Sequence, residues 1–157
     1  MTDRHIDDLI QNLSWTKEKS VQEEAVEELK SISDLDLTKL INLPSNLKEY
    51  MDNAAQILST CTFERVETVI MELYRWLQDL NWPGAITILN LLSDFPKEKT
   101  IQYFEKAVTE AIEMNDESWL DNLSYFTRFS NYSYEDFDNK ELFGIMKKHA
   151  DFMWSST

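Results

Sequence analysis

The sequence predicts an all-α protein of about eight helices, packed as stacked antiparallel helical hairpins. Its 157 residues include two glycines and three prolines, which leaves little material for the turns of β-hairpins. Apolar residues instead recur at steps of three and four along most of the chain, the spacing of a buried helical face. A composition that is 43% hydrophobic and 12% aromatic is too apolar for a disordered chain. We therefore expect one domain over residues 1–157, with a sizeable core and no linker.

The segment of residues 76–85, WLQDLNWPGA, ends one predicted helix and begins the next. Residues 85–92 are apolar nearly all round, as in a helix covered on more than one side. Pro83 is expected in the first turn of that second helix, where its missing N–H has no intrahelical partner to lose. So short a connection predicts an antiparallel pair. The apolar stripe of the first helix consists of Val66, Val69, Ile70, Leu73, Trp76, Leu77 and Leu80.

The first part of the chain predicts a similar pair of helices. The first helix is expected over residues 5–13. The second follows a capping box, in which the side chains of Ser20 and Glu23 bond each other's backbone N–H groups. Leu-Ser-Trp at 13–15 has the same position in this helix pair as Leu-Asn-Trp at 80–82 has in the central pair. We interpret this as one helical-hairpin unit used twice, as in stacked repeat proteins.

Further helices follow from the same periodicity. A short helix over 35–43 should end at Pro44, because the residue before proline disfavours the α conformation. Within the last third, Trp119, Phe126 and Phe129 are expected in the core. The other predicted helices cover about residues 47–61, 63–79, 83–95, 96–114, 119–129 and 140–154.

Three stretches of the chain carry a resemblance to a known family. They are the WLQDLNWPGA segment, the run Leu9-Ile10-Gln11-Asn12-Leu13-Ser14-Trp15 with Glu23, Glu24, Ala25 and Glu28 after it, and Asn53-Ala54-Ala55. Over about residues 5–95 they resemble a small bacterial domain family of unknown function, and residues after about 100 add nothing to the likeness. The resemblance implies no catalytic residue. Separately, Leu77-x-Asp79, Trp82-x-Gly84-Ala85 and Leu89-x-x-Leu92 are similar to helical repeats of the HEAT and ARM type, which implies an α-α superhelix.

The surface charge is strongly negative. The chain has 15 Lys and Arg residues against 29 Asp and Glu residues, a formal net charge of −14 at pH 7. Such a surface repels the phosphates of nucleic acids and of anionic lipids, so we expect neither nucleic acid nor a membrane as a partner. It attracts a basic protein over long range and speeds the encounter. The alternative is that the charge only keeps the protein soluble.

The sequence favours a cytoplasmic location. Residues 2–8 are polar, without the apolar run of a signal peptide. No stretch approaches the ~20 apolar residues that a helix needs to cross a bilayer. Cys61 is the one cysteine, so no disulfide framework forms and a reducing compartment is the default.

Catalytic motifs are absent from the sequence. Two glycines cannot supply the Gly-rich phosphate loops or the G-x-S-x-G turn of hydrolases. The two histidines, His5 and His149, belong to none of the paired E-x-x-H elements that build di-metal sites in helical proteins. Cys61 lies on an apolar stripe with no histidine close in sequence, so we expect a small core residue and not a nucleophile. We expect no enzyme activity, no cofactor and no metal.

The best functional signal is an acidic, Tyr-rich segment in the last third. Residues 105–141 carry ten acidic side chains against three basic ones, half of the net charge of the chain. Tyrosine brings a large contact area with little rotamer entropy to lose, and carboxylates pair with Lys or Arg of a partner. The alternative for Tyr132, Tyr134 and Phe137 is that they complete the core of the last helices. The predicted partner-binding residues are Asp116, Glu117, Asp121, Tyr132, Tyr134, Glu135, Asp136, Phe137 and Asp138.

We therefore expect a non-enzymatic protein-binding module. The preferred form is an immunity-type protein that binds and neutralises a basic cognate bacterial toxin, nuclease-like, because a nuclease site must be cationic to hold phosphates. A general adaptor of the helical-repeat type is the alternative, distinguished by several modest partners instead of one tight one. A carboxylate–metal enzyme is the third candidate, distinguished by a transition metal that copurifies with the protein.

Overall fold

A computed structural model describes residues 1–43 and 48–155, with side chains up to residue 149. Regular structure in these ranges is entirely helical, so the predicted all-α fold of about eight helices is confirmed. The α-helices are α1 (Asp3–Gln11), α2 (Lys19–Leu29), α3 (Thr38–Ile41), α4 (Met51–Leu58), α5 (Phe63–Val66), α6 (Ile70–Trp76), α7 (Ala85–Asp94), α8 (Lys97–Glu113), α9 (Glu117–Ser130) and α10 (Lys140–Ser155). Short 3-10 helices cover Lys48–Tyr50, Glu67–Val69 and Tyr134–Asp136.

Most helix bounds lie within a few residues of the predicted ones. The helix expected over 63–79 is interrupted by the 3-10 turn Glu67–Val69, and the short helix expected over 35–43 is reduced to α3. Pro44, which was expected to end that short helix, lies outside the described residues. None of the described helices is both long and apolar enough to cross a bilayer.

The chain divides into two compact units. Unit 1 consists of residues 1–69 and 81–88, and unit 2 consists of residues 70–80 and 89–157. Each unit has its own set of packed helices. The expectation of one domain over residues 1–157 stays a prediction.

Unit 1 is built on α1, α2 and α4, with α1 packed against α2 and α2 against α4. At the start of α1 the Thr2 hydroxyl accepts the His5 N–H at 3.2 Å, a side-chain cap. Ile6 and Leu9 follow one turn apart and are buried, as the apolar spacing predicts. The fully buried core also includes Leu13, Leu29, Leu37, Leu40, Ile57 and Leu58.

The start of α2 differs from the prediction. The helix begins at Lys19, so Ser20 already lies inside its first turn and the expected capping box between Ser20 and Glu23 is wrong. Glu18 holds the N-cap position, with the extended backbone (ψ 146°) that this position requires. The Glu18 carbonyl accepts the Gln22 N–H at 3.1 Å, the first bond of the helix. A serine two residues beyond the cap cannot replace it.

Asn53 of α4 holds the turn between α1 and α2 in place. Its side-chain amide donates to the Leu13 carbonyl at 2.7 Å and to the Gln22 amide oxygen at 2.9 Å. Ala54 and Ala55, which follow it, are completely buried. Because alanine adds only a methyl group, neighbouring elements can approach α4 closely there. The Asn-Ala-Ala motif therefore has a structural role within unit 1.

The turn from Trp82 to Ala85 explains the Pro-Gly pair of the central segment. The Ala85 N–H donates to the Trp82 carbonyl at 3.1 Å, and Gly84 has a φ of 79°. Proline at the second position and positive φ at the third define a type II β-turn, in which glycine is unstrained. The Ile88 N–H then bonds the Gly84 carbonyl at 3.0 Å. Pro83 thus lies in a β-turn, and its expected place in the first helical turn is wrong. The antiparallel pairing of the flanking helices stays a prediction.

Unit 2 is built on α8, α9 and α10. α6 packs against α8, α8 packs against α9, and α10 packs against both α8 and α9. Asn115 and Asn131, just after α8 and α9, have left-handed backbone conformations with φ of 54° and 56°. Asparagine tolerates this conformation better than most residues and so ends helices well. Because the connection between α8 and α9 is so short, the two helices are antiparallel.

Aromatic rings fill the core of unit 2. They belong to Tyr74, Phe104, Phe126, Tyr132 and Phe137, and neighbouring ring centroids lie 5.0 to 6.2 Å apart, mostly edge to face. Tyr74 is completely buried, with its hydroxyl close to those of Tyr132 and Thr100. Burial raises the pKa of Tyr74 well above its ordinary value. This cluster anchors both α8 and the segment that follows α9.

Two of the three aromatic residues of α9 that were expected in the core are buried. Trp119 and Phe126 are completely buried, and the Trp119 indole N–H donates to the Tyr74 carbonyl at 3.1 Å. Phe129 is 45% exposed, so its expected place in the core is wrong. It lies beside the buried arc of the helix, and its ring contacts Tyr125 edge to face, with centroids 4.8 Å apart. An aromatic side chain at a helix edge can thus satisfy the periodicity and still face solvent.

Candidate functional site

The segment from Asn131 to Asn139, here called the acidic turn, joins α9 to α10 and contains six of the nine predicted partner-binding residues. Two of the six belong to the core: Tyr132 is 7% exposed and Phe137 is 1% exposed. The Tyr132 hydroxyl shares a buried 2.5 Å hydrogen bond with the Thr100 hydroxyl, so its burial leaves no unsatisfied group. The expectation that these two rings form part of an exposed surface is therefore corrected.

The outer side of the acidic turn consists of Tyr134, Glu135 and Asp138. Tyr134 is 49% exposed, and both carboxylates are exposed. The 3-10 helix that starts at Tyr134 lies between the two buried anchors, Tyr132 and Phe137. The anchors fix the ends of this short helix, so Tyr134 and Glu135 between them are presented to solvent, and Asp138 is exposed directly after the second anchor. These three residues stay candidates for partner contact.

Asp136 has a structural role in the acidic turn. Its carboxylate accepts the Ser133 N–H at 2.7 Å, and the Ser133 side chain accepts the Asp136 N–H, which together form a capping box on the 3-10 helix. The carboxylate also accepts the Ser133 hydroxyl at 3.1 Å. Lys97 of α8 donates to the same carboxylate at 3.2 Å and to the Asn131 carbonyl at 3.3 Å. The backbone hydrogen bond from Ser133, with help from Lys97, lowers the pKa of Asp136. Asp136 is therefore already partnered within unit 2.

Asp116 also has a structural role. It is the N-cap of α9, where its carboxylate accepts the Trp119 N–H at 3.0 Å. A negative charge suits this position, because it faces the positive end of the helix dipole. Of the predicted partner-binding carboxylates, Asp116 and Asp136 therefore cap helices.

Glu117 and Asp121 form a separate group around His149 of α10. The His149 Nδ1 lies 3.0 Å from an Asp121 oxygen, and Nε2 lies 3.8 Å from a Glu117 oxygen. Glu117 is mostly exposed and Asp121 is partly exposed. Their contacts link α9 to α10, whereas the acidic turn is tied to α8 through Lys97.

Lys140 binds the acidic turn from the start of α10. Its ammonium donates to the carbonyls of Tyr134 at 2.8 Å, Glu135 at 3.3 Å and Phe137 at 2.6 Å. It also lies 4.8 Å from the centre of the Tyr134 ring. Lys140 is one of the three basic residues between positions 105 and 141. Its contacts with the acidic turn were not expected from the sequence, because its carbonyl partners carry no sequence signal.

A groove on α8 adjoins the acidic turn, and sequence reasoning did not assign it. Glu105 accepts the Asn139 N–H at 2.8 Å, which joins the groove to the end of the turn. Glu105, Thr109 and Glu113 recur every four residues along α8, a signal that places them on one helical face. The α8 groove encloses about 580 Å³ and is lined by Gln102, Glu105, Lys106, Thr109, Glu110, Glu113, Asn139 and Leu142.

Arg75 of α6 pairs with Glu110 in this groove. Its Nε and Nη2 donate to the two Glu110 carboxylate oxygens at 2.8 and 2.9 Å, a bidentate pair, and Nη1 donates to Glu72. The hydrogen bonds to Glu110 raise the pKa of the Arg75 guanidinium. Glu113, by contrast, is exposed at the end of α8. The groove thus contains one carboxylate in an ion pair, that of Glu110, and one exposed carboxylate, that of Glu113.

The side chains most suited to catalysis or metal binding are dispersed. Cys61 is buried, as expected, and burial raises the pKa of its thiol. His5 lies 3.3 Å from Glu28 in unit 1, while His149 contacts Asp121 in unit 2. Among the residues that the structure describes, no group of three or more His, Cys, Asp or Glu side chains is arranged to hold a metal ion.

The fold and surface define an all-α protein with an acidic turn and an acidic groove in unit 2. Residues 46–149 match a family described as a domain of unknown function, DUF5071, and the chain belongs to that family. The expectation of a family of unknown function is confirmed, while the WLQDLNWPGA signature stays a prediction. The match extends over the acidic turn and omits residues 1–45, whereas the resemblance was expected over about residues 5–95. No curated protein and no solved structure matches the chain.

Proposed function

We propose that this protein is a non-enzymatic, cytoplasmic binding module that captures a basic protein through the acidic turn and the α8 groove. The observation that carries the proposal is the distribution of charge in unit 2. Three of its cations, Arg75, Lys97 and Lys140, contact internal acceptors. The carboxylates of Glu113, Glu135 and Asp138 are exposed. A basic surface is the complement of such a site.

Three cations support this reasoning. Lys97 is used by Asp136 and a backbone carbonyl, Lys140 is used by three backbone carbonyls, and Arg75 is used by Glu72 and Glu110. Carboxylates neutralise Arg75 and Lys97, and the two exposed carboxylates Glu135 and Asp138 outnumber Lys140, so the potential outside the acidic turn is negative. The Tyr134 ring beside them offers the large, rigid contact area typical of binding hot spots.

The preferred form of this function is an immunity-type protein that neutralises a cognate bacterial toxin of nuclease type. A nuclease must hold phosphates in a cationic site, so an acidic protein can cover that site by charge complementarity. Such pairs associate fast at low salt, because opposite potentials steer the encounter. We also infer the HEAT-like stacking of hairpins suggested by residues 77–92, which would suit an adaptor equally well.

Charge reversal tests the proposed surface. The double variant Glu135→Lys/Asp138→Lys should weaken binding of the basic partner about tenfold or more and flatten its salt dependence. The matched control is Glu23→Lys/Glu24→Lys, which makes the same change of charge at two exposed residues of unit 1. Affinity capture from host lysate at low and then raised salt identifies the partner, and titration of that partner gives the affinities.

The outcomes separate the alternatives. A loss confined to the acidic-turn variant supports the proposed surface, and equal loss in both variants would mean that only the net charge matters. Unchanged affinity in the acidic-turn variant would remove this segment from the binding site. One stoichiometric basic partner supports the immunity form, whereas several modest partners favour the adaptor.

A further inference from the structure

Lys140 occupies a position that is unfavourable for a cation. It is the first residue of α10, and the N-terminus of a helix carries the positive end of the helix dipole. Its ammonium is compensated by the carbonyls of Tyr134, Glu135 and Phe137, at 2.8, 3.3 and 2.6 Å. An ammonium has three N–H donors, so each of them has an acceptor in the acidic turn. This set of contacts fixes the lysine to the turn and the turn to α10.

The same ammonium also holds the exposed ring of Tyr134. The nitrogen lies 4.8 Å from the ring centre, within the range of a cation–π contact. A second contact, edge to face, comes from Phe143 of α10, with ring centroids 5.7 Å apart. Tyr134 is nevertheless 49% exposed. It is therefore a surface aromatic residue whose orientation is set before any partner arrives.

We propose that Lys140 is a positioning residue for partner binding. Its ammonium fixes the ring of Tyr134 and the backbone of Glu135 in one conformation. A Lys- or Arg-bearing segment of a basic protein binds to this conformation. This inference rests on the proposed function and adds its mechanism. A contact residue that is ordered in advance loses less conformational entropy on binding, so affinity increases without any new contact.

The sign of one substitution distinguishes this inference from a simple effect of charge. Lys140→Met removes a positive charge from an acidic surface, which by electrostatics alone should tighten the binding of a basic partner. Positioning predicts the opposite, because the three carbonyls and the Tyr134 ring lose the group that orders them. Lys148→Met is the matched control, since Lys148 is exposed on the same helix.

The first measurement is the anisotropy of fluorescently labelled poly-L-lysine titrated with each full-length variant. Lys140→Met should bind about three- to tenfold more weakly than the natural chain, and Lys148→Met no more weakly. Combining Lys140→Met with Tyr134→Ala should cost less than the sum of the two single losses, because both substitutions remove the same ordered ring. Tighter binding by Lys140→Met, or additive losses in the double variant, would overturn the inference.

The second measurement is amide hydrogen exchange, which needs no partner. In Lys140→Met the acidic turn should exchange faster while α8 and α9 keep their protection, and Lys140→Arg, which keeps the charge, should retain more of the turn's protection. Unchanged exchange in the turn would overturn the role of Lys140. Absence of poly-L-lysine binding by the natural chain would instead overturn the proposed function, and the exchange result tells the two failures apart.

Discussion

Each unit carries a groove on its helices, and the two grooves differ in charge. The α2 groove of unit 1 encloses about 380 Å³ and the α8 groove of unit 2 about 580 Å³. Two lysines and two glutamates balance in the α2 groove, whereas three glutamates and one lysine line the α8 groove. The α2 groove is lined by Lys19, Gln22, Glu23, Val26, Glu27, Lys30, Asn53 and Gln56.

The origin of the counter-charges explains this difference. In the α2 groove a Glu27 carboxylate oxygen lies 2.8 Å from the ammonium of Lys30, one turn away on the same helix, so the two charges neutralise each other locally. In the α8 groove Glu110 is paired with Arg75 of α6, while Glu113 stays exposed. The ion pair within α2 neutralises the face of that helix. The ion pair between α6 and α8 neutralises Glu110 alone, so Glu113 keeps its negative charge. The α8 groove of unit 2 is therefore the more negative of the two grooves.

The largest expected effect tests whether the grooves differ in charge alone. Leu142 and Val26 form the apolar floors of the two grooves and are 6% and 5% exposed. Leu142→Ala should lower the free energy of unfolding by about 3 kcal/mol and Val26→Ala by about 2 kcal/mol, in line with the carbon atoms removed. Urea unfolding measures both. A cost below about 1 kcal/mol for Leu142→Ala would mean that the grooves also differ in packing.

A smaller effect sharpens the contrast between the two kinds of ion pair. Arg75→Met should lower the free energy of unfolding by about 1–2 kcal/mol, since it breaks a bidentate pair between α6 and α8 that is partly exposed to solvent. Lys30→Met, the control in the α2 groove, should cost less than about 0.5 kcal/mol, as for other exposed pairs within a helix. Similar costs in thermal or urea unfolding would remove the distinction between the two grooves.

The smallest expected effect concerns acid. The pKa of Asp136 is lowered from 3.8 by its bonds to Ser133 and Lys97, so the folded state binds a proton less readily than the unfolded chain. Its contribution to stability is therefore present above about pH 4 and is lost as the pH falls through the lower, folded pKa. Asp136→Asn should reduce the loss of stability between neutral and acidic pH, measured by urea unfolding at each pH.

A matched carboxylate controls for this effect. Asp36 of unit 1 accepts a 2.9 Å hydrogen bond from the Ser33 hydroxyl, at the same spacing as Ser133 and Asp136. Asp36→Asn therefore makes the same chemical change without touching the acidic turn. If Asp136→Asn left the acid dependence as it is in the natural chain, the contacts of this carboxylate with Ser133 and Lys97 would contribute nothing to the pH dependence of folding.

The parts of the fold that the sequence predicted are those governed by local periodicity. Trp119 and Phe126 lie seven residues apart on α9, and both are buried as expected. The same reasoning misplaced Phe129, because the width of a buried helical face depends on the neighbouring helices and not on the helix itself. Ser20 offered a good cap in isolation, but the chain entered its helix two residues earlier. The ends of a helix and the edges of its buried face depend on contacts with other parts of the chain, which the spacing of apolar residues does not describe.

The candidate site was harder to predict, since it depends on contacts between distant residues. Tyr132 and Phe137 lie in a segment without helical periodicity, and their burial follows from Phe104 more than 25 residues earlier. The repeat of Glu105, Thr109 and Glu113 places these residues on one face of α8, but the contact of the Asn139 N–H with Glu105 is not contained in that repeat. Which carboxylates cap helices and which stay free therefore emerged only from the structure.

The buried hydroxyl of Tyr74 gives unit 2 an optical response to alkali. Burial holds the pKa of this phenol well above 10.0, so in the folded state it stays protonated when an ordinary tyrosine has become a phenolate. Because the unfolded chain releases this proton more readily, stability falls as the pH rises above about 10. As the pH is raised, the near-ultraviolet absorbance of the Tyr74 phenolate would then appear only when the aromatic core opens. The exposed tyrosines would ionise first, and the time between the two absorbance changes would measure how long the core stays closed.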